Sequence, residues 1–295
     1  MTKSFIIIVH FGEISVTVDC LESIYTQKDS PSTILVDNTL DPVLSERIGK
    51  FKKVTLLTPD NNLGFAGANN LGIKKALSLG SENIILLNND TLVPPGFFKK
   101  IIDFASKEKS VGLVSPKIYF APGFEYHKNN KKNKNYTFWY AGGLIDWDNV
   151  YASHRGVDEE DSGQCDVEIN TDFATGCALL IRKDVIKKIG LIDENYFLYF
   201  EDVDYSLKAK SAGFKVKYFP GAYILHKNAS SSQGSGSLLH QYYLTRNRLY
   251  FGFKFARLRT KLALFKESML QIFKGGIKRK AVLDYYFGPM GKTQL

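Results

Sequence analysis

The chain has 295 residues, 44% of them hydrophobic, and 39 Lys and Arg against 30 Asp and Glu give it a formal charge of +9. That length and apolar content suit one large α/β domain or two small ones, and no uncharged apolar run reaches the ~18 residues that a membrane-spanning helix needs. Three irregularly spaced cysteines, Cys20, Cys165 and Cys177, match no zinc spacing and fit the cytosol better than a disulfide framework.

In chain order, Ser4–His10 is an apolar β-branched run, a buried strand too short for a signal peptide. Ile14, Val18, Leu21 and Tyr25 follow at helical spacing, then strands over residues 33–37 and 54–58. Residues 66–79 read as a helix stopped by Gly80, and residues 83–87 as a fourth strand running into Asn88-Asn89-Asp90. Pro94-Pro95 opens another helix, with Phe98, Ile101, Ile102 and Ala105 on its inner face. This alternation argues for a parallel, Rossmann-like sheet.

Beyond residue 110 the alternation fades. Strands are expected over 111–119, 144–146, 173–181 and 215–219, and helices over Lys183–Ile189 and residues 202–212. The Lys/Asn-rich stretch 124–136 and the acidic stretch 153–168 read as loops.

Asp37, Asn61/Asn62 and Asp90 each follow a different strand, and in a parallel sheet those ends converge on one crevice. Asp37 can accept hydrogen bonds from a pyrimidine ring N–H or a ribose hydroxyl; Asp-Asn dipeptides also favour plain turns. Asp90, flanked by the neutral ligands Asn88 and Asn89, suits a divalent metal carrying a phosphorylated nucleotide, or else caps the next element. Gly64, Phe65, Gly67 and Asn69 lie where a helix begins, and small residues there allow close approach to a phosphate or sugar. The pattern is neither GxGxxG nor a P-loop. Asn69 and Asn70 are costly enough in a helix interior to imply a task.

Glu201, Asp202 and Asp204 crowd a helix start, more acid than capping requires. Glu201 and Asp202 point in different directions, so one can hold the fold while the other acts as general base. His226, after the apolar run 222–225, is a candidate co-ligand for a metal on Asp90.

Taken together, IIIVHF, LVDN, NNLGFAGANN, LLNND, FATGCALLIR, FLYFEDVDYSLKAKSAG and His226 resemble, in order, family 2 glycosyltransferases of the bacterial rhamnosyltransferase-like group, over roughly residues 4–250. The resemblance implies a GT-A fold: a mostly parallel central sheet flanked by helices. It implies a nucleotide-binding site built from Asp37, Asn62, Gly64, Phe65, Gly67, Asn69, Asn88, Asn89 and Asp90. Asn88-Asn89-Asp90 occupies the place of the family's DxD motif, with Asn88 replacing the first acid. Asp90 and His226 would hold Mg²⁺ or Mn²⁺, and Asp202 would be the catalytic base. Trp139, Gly143, Asp172 and Glu201 would shape the sugar or acceptor pocket. Such an enzyme would invert the anomeric centre. It would move a sugar, with L-rhamnose from dTDP-rhamnose the expected case, to a lipid-linked or surface glycan. A UDP-sugar donor, a nucleotidyltransferase and a non-catalytic nucleotide-sugar-binding scaffold are the alternatives.

The expected organisation is a catalytic domain over residues 1–245, divided near 118 into donor and acceptor halves, and a tail over 246–295. Residues 246–280 carry eleven bases and one acid, which leaves 28 bases and 29 acids elsewhere. Phe251, Phe255, Leu258, Leu262, Phe265, Met269 and Ile272 recur at steps of four and three, one face of a basic amphipathic helix. That pattern predicts peripheral attachment to the inner face of the cell membrane, against a helix packed on the domain, and no nucleic-acid binding. Arg246 is a further candidate for the diphosphate. Oligomerisation stays open.

Overall fold

A computed structural model describes residues 2–126, 136–228 and 236–293. The first 120 residues run β1 (Ser4–His10), α1 (Ile14–Tyr25), β2 (Ser32–Asp37), α2 (Leu44–Ile48), β3 (Val54–Leu57), α3 (Gly64–Ser78), β4 (Asn83–Asn88), β5 (Thr91–Leu92), α4 (Phe97–Lys107) and β6 (Val111–Phe120). There follow β7 (Phe138–Tyr140), β8 (Gly143–Asp146), β9 (Tyr151–His154), β10 (Ile169–Asn170), β11 (Ala178–Arg182), α5 (Lys183–Ile189), a 3-10 turn (Glu194–Tyr196), α6 (Glu201–Ser211) and β12 (Lys215–His226). Three helices close the chain: α7 (Leu238–Phe255), α8 (Leu258–Lys274) and α9 (Gly276–Phe287).

The central sheet has the order β10-β12-β6-β11-β4-β1-β2-β3, with β5 on β12 and β7 on β6, while β8 and β9 form a separate hairpin. β3, β2, β1 and β4 are parallel. β11 lies reversed between β4 and β6, and β12 runs parallel to β6. The two central strands, β1 and β4, are apolar on both faces because helices cover both. Ile6, Ile8, Ile85 and Leu87 join one core with α1 and α4, and Ile7, Ile84 and Leu86 join another with α3 and α5. Burying one such side chain stabilises by about 1.5–3 kcal/mol, so these strands fix the register of everything at their ends.

The carboxyl ends of β1, β2, β4 and β12 therefore share one edge, and the reversed β11 brings its amino end, residues 175–177, to the same place. β12 is one strand with a register shift between Phe219 and Tyr223, joining the strand expected over 215–219 to the apolar run 222–225. Residues 173–177, expected to be strand, form the loop that enters β11. Most of the 124–136 stretch lies outside the described residues. The 153–168 stretch starts in β9 and is then clamped: the buried Lys117 ammonium reaches Asp161 at 2.7 Å and Asp166 at 2.5 Å.

The C-terminal stretch is helical, as expected. α7 runs straight through the expected 245/246 boundary and is packed on the domain, with Tyr242, Tyr243, Arg246, Asn247 and Phe251 buried. The apolar stripe does not lie on one helix, because Ala256 is extended (φ −72°, ψ 160°) and separates α7 from α8. Phe251 faces the core, whereas Leu258, Leu262 and Phe265 on α8 are exposed.

Candidate active site

Two turns place Asp90. β4 ends at Asn88, and the chain folds at once into β5, which pairs antiparallel with Leu225 and His226. The Lys227 N–H then donates to the Asp90 carbonyl at 2.8 Å. That pairing sets His226 Nε2 3.1 Å from Asp90 Oδ1, both residues buried. Burial disfavours the charged imidazole, yet His226 is held well above its ordinary value by Cys177 and the Asp90 carboxylate beside it. Burial raises the Cys177 thiol. Trp139 packs edge-on against the His226 ring at 4.5 Å and against His154 at 4.3 Å. His154 is pushed down to about 4 by burial and so stays neutral.

Across the edge, α6 begins with Glu201 and Asp202. Asp202 Oδ2 accepts the Gly176 N–H at 2.8 Å and Oδ1 the Val203 N–H at 2.8 Å. Gly176 permits this closeness, since a Cβ there would meet Phe65 Cζ at 2.9 Å. Burial raises the Asp202 carboxyl above the usual range in spite of these donors. Glu201 is more deeply sunk, with Oε2 lacking any hydrogen bond, and burial followed by the adjacent Asp202 charge raises it further. Glu201 is thus the buried member of the pair, and Asp202 the partly exposed one.

The remaining candidates are placed as follows. Asp37 is buried and holds its own turn: Oδ1 accepts from Thr39 N, Thr39 Oγ1 and Leu40 N at 2.9–3.0 Å, and Oδ2 from Asp41 N at 2.9 Å. Asn89 faces the fold, its amide donating to Phe11 O at 3.1 Å and Thr17 Oγ1 at 2.9 Å. Asn88 is partly exposed at the end of β4.

The amino end of α3 is not an open anion site. Gly64 N donates to Asn62 Oδ1 at 2.8 Å, and Phe65 N to Phe197 O at 2.7 Å. Gly64 adopts φ +70°, a conformation that favours glycine, directly under Phe197. Asn69 bonds back to Phe65 O at 2.9 Å, and Asn70 ties α3 to Ile192 and Glu194. The tasks of both asparagines are internal.

Gly143 and Asp172 brace β8 instead of meeting Asp90: a Cβ on Gly143 would strike Phe173, and Asp172 Oδ2 accepts the Ile145 N–H at 3.0 Å. Arg246, expected at the diphosphate, is fully buried and donates to backbone carbonyls. Gly176, Cys177 and His154 were not singled out from the sequence. The first two lay within the strand expected over 173–181, which gave no signal that they form the loop at its amino end.

The profile described as Glycosyltransferase like family 2 matches residues 4–252. The chain belongs to this family. The glycosyltransferase is 26% identical over 219 residues to the N-acetylglucosaminyl-diphospho-decaprenol L-rhamnosyltransferase of Mycobacterium tuberculosis, covering 68% of each chain. It is 23% identical over 198 residues to the dTDP-rhamnosyl transferase RfbF of Shigella flexneri, covering 65% of this chain and 58% of that one. Among solved structures it superposes on GalNAc-T7 with UDP, GalNAc and Mn²⁺ at a TM-score of 0.64 and 15% identity, over 98% of this chain and 55% of the other. A mannosyltransferase of Pyrobaculum calidifontis with GDP-Man and Mn²⁺ gives 0.55 at 12% identity, over 97% and 73%. The glycosyltransferase has the GT-A fold that its sequence led us to expect.

Proposed function

We propose that this nucleotide-sugar glycosyltransferase is an inverting L-rhamnosyltransferase using dTDP-L-rhamnose, with a lipid-linked glycan as acceptor. The observation that carries the mechanism is the pairing of Asp90 with His226 on one side of the edge and Asp202 on the other. The names of the two relatives support the donor and the acceptor.

A carboxylate and an imidazole supply two protein ligands, and no group of three or more His, Cys, Asp or Glu that could hold a metal occurs among the described residues. That donor set fits an ion arriving with the diphosphate, whose oxygens complete the shell; Mn²⁺ accepts both ligand types, and Mg²⁺ prefers the oxygens. When bound, the cation would neutralise charge on the departing nucleoside diphosphate. Trp139, lying against His226, gives the sugar an apolar wall. Asp202 takes the proton from the acceptor hydroxyl as it attacks the anomeric carbon, and one base with direct displacement inverts that centre.

The surface of α8 supports a peripheral membrane location. Leu258, Leu262, Phe265, Leu270 and Phe273 are between 47% and 87% exposed, bordered by exposed Arg259, Lys266 and Lys274. This suits an anionic bilayer surface at the cytoplasmic face, where a lipid-linked acceptor resides. No described helix is long and apolar enough to cross a membrane.

The test is a panel of dTDP-, UDP- and GDP-sugars with Mn²⁺, with and without EDTA, reading released diphosphate and the anomeric configuration of the product. Preference for a UDP-sugar would move the donor assignment, and no release from any donor would support the scaffold reading. Binding to vesicles with and without phosphatidylglycerol tests the α8 face. Leu262→Glu with Phe265→Glu should abolish it, and unchanged binding would refute the assignment.

A further inference from the structure

Between the 3-10 turn and α6, three residues other than glycine adopt left-handed backbone: Phe197 (φ 61°), Tyr199 (71°) and Phe200 (72°). Such backbone disfavours a residue with a side chain by about 1–2 kcal/mol and persists only where the surroundings over-determine it. Two adjacent residues of α7 do so. The buried Asn247 amide donates to the carbonyls of Tyr196, Leu198 and Tyr199 at 2.9, 2.7 and 2.9 Å. Its Oδ1 accepts Arg246 Nε at 3.0 Å, which fixes which end of the amide faces the segment. Arg246 donates to the carbonyls of Asn195, Tyr196 and Gly291 at 3.0, 3.1 and 2.7 Å, with Tyr242 and Tyr243 rings 5.6 and 4.9 Å from its guanidinium. The Phe197 carbonyl instead caps Phe65 N on α3. Serving both α7 and α3 from successive carbonyls is what calls for left-handed residues.

We propose that Arg246 and Asn247 are positioning residues: they hold the strained 197–200 segment in the conformation that seats Asp202 against Gly176. Neither reaches the crevice, and both are 0% exposed. The inference rests on the reading of Asp202 as the base.

The test compares Asn247→Ala, Asn247→Ser and Arg246→Lys with the unaltered enzyme below their melting temperatures, folding being checked by circular dichroism. Asn247→Ala should lower kcat at least tenfold, leave donor KM within threefold, and move the acid limb of the kcat profile to lower pH as the Asp202 carboxyl regains water. Asn247→Ser, which keeps one donor, should recover part of kcat; it carries the test if the alanine variant does not fold. Loss of melting temperature with kcat and its pH profile unchanged would show a purely structural role and overturn the proposal. Asp202→Asn, run alongside, separates the two readings. Normal turnover there sinks the base and the positioning role with it. Lost turnover there, with full kcat in the Asn247 variants, sinks the positioning role alone.

Discussion

Gly64→Ala asks whether the turn into α3 is ligand surface or packing. A methyl group at position 64 would lie 2.4 Å from Phe197 Cδ2 and 2.5 Å from the Phe197 carbonyl oxygen, on a backbone at φ +70°. The left-handed conformation costs about 1–2 kcal/mol, overpacking about 1–3 kcal/mol, and displacing the carbonyl that caps Phe65 N about 1 kcal/mol. The destabilisation expected is about 3–6 kcal/mol; at about 2 °C per kcal/mol for a chain of this size, Tm falls by roughly 6–12 °C. Gly67→Ala is the contrast. Its methyl would meet only Leu63 Cβ at 3.0 Å and Glu194 at 3.7 Å, while alanine gains about 1 kcal/mol of helix propensity, so Tm should hold or rise slightly. Thermal unfolding by circular dichroism, paired with calorimetric titration of donor nucleotide, reads both. A Gly64→Ala protein that melts with the wild type yet loses nucleotide binding would refute the packing account.

Asp202→Asn should reduce transfer by about a hundredfold or more while nucleotide-sugar binding persists; normal turnover would remove the base assignment. A base acts only when deprotonated and burial raises the Asp202 carboxyl, so kcat/KM should fall on acidification at a pH above the ordinary aspartate value of 3.8. An acid limb at or below that value would contradict the geometry. His226→Ala should weaken Mn²⁺ binding in the presence of nucleoside diphosphate at least tenfold by calorimetry; unchanged affinity would exclude it as a ligand. Lys254 reaches the buried Asp204 at 2.5 Å, and Tyr196 OH shares that carboxylate at 2.9 Å. With Lys208 also within 2.9 Å of Asp204 and Lys254 partly exposed, Lys254→Met should destabilise by about 2 kcal/mol, and a Tm within 1 °C of wild type would show the ion pair to be idle.

The donor half was legible because β1, β2 and β4 are continuous apolar runs that only a sheet covered on both faces requires. Asp90, Asp202 and His226 could be singled out because each stands where such a run stops or a helix starts. The partners were not visible. Asn89 and Asp90 look equivalent in sequence, and only the turn between β4 and β5 sends one to Thr17 and the other to His226. Arg246 read as a phosphate ligand because its carbonyl partners lie about fifty residues away and carry no side-chain signature. Asn70 showed its unusual place in a helix but not that Ile192 and Glu194 were the reason. The stripe over 251–272 kept helical spacing across Ala256, where neither Gly nor Pro announces the break.

The separation along the chain between Asp90 and His226, 136 positions, has a consequence for how the molecule comes into being. β2 pairs with β1 and β3 across fewer than 30 residues and can assemble early, whereas β4 must close on β1 across about 80 residues and β12 on β6 across about a hundred, slower steps by loop-closure entropy. A nascent chain stopped short of β12 has Asp90 without its imidazole neighbour, and without α7 the left-handed segment before Asp202 lacks the Asn247 hydrogen bonds. If these residues have the roles proposed above, chemical competence would be deferred to the last stage of folding.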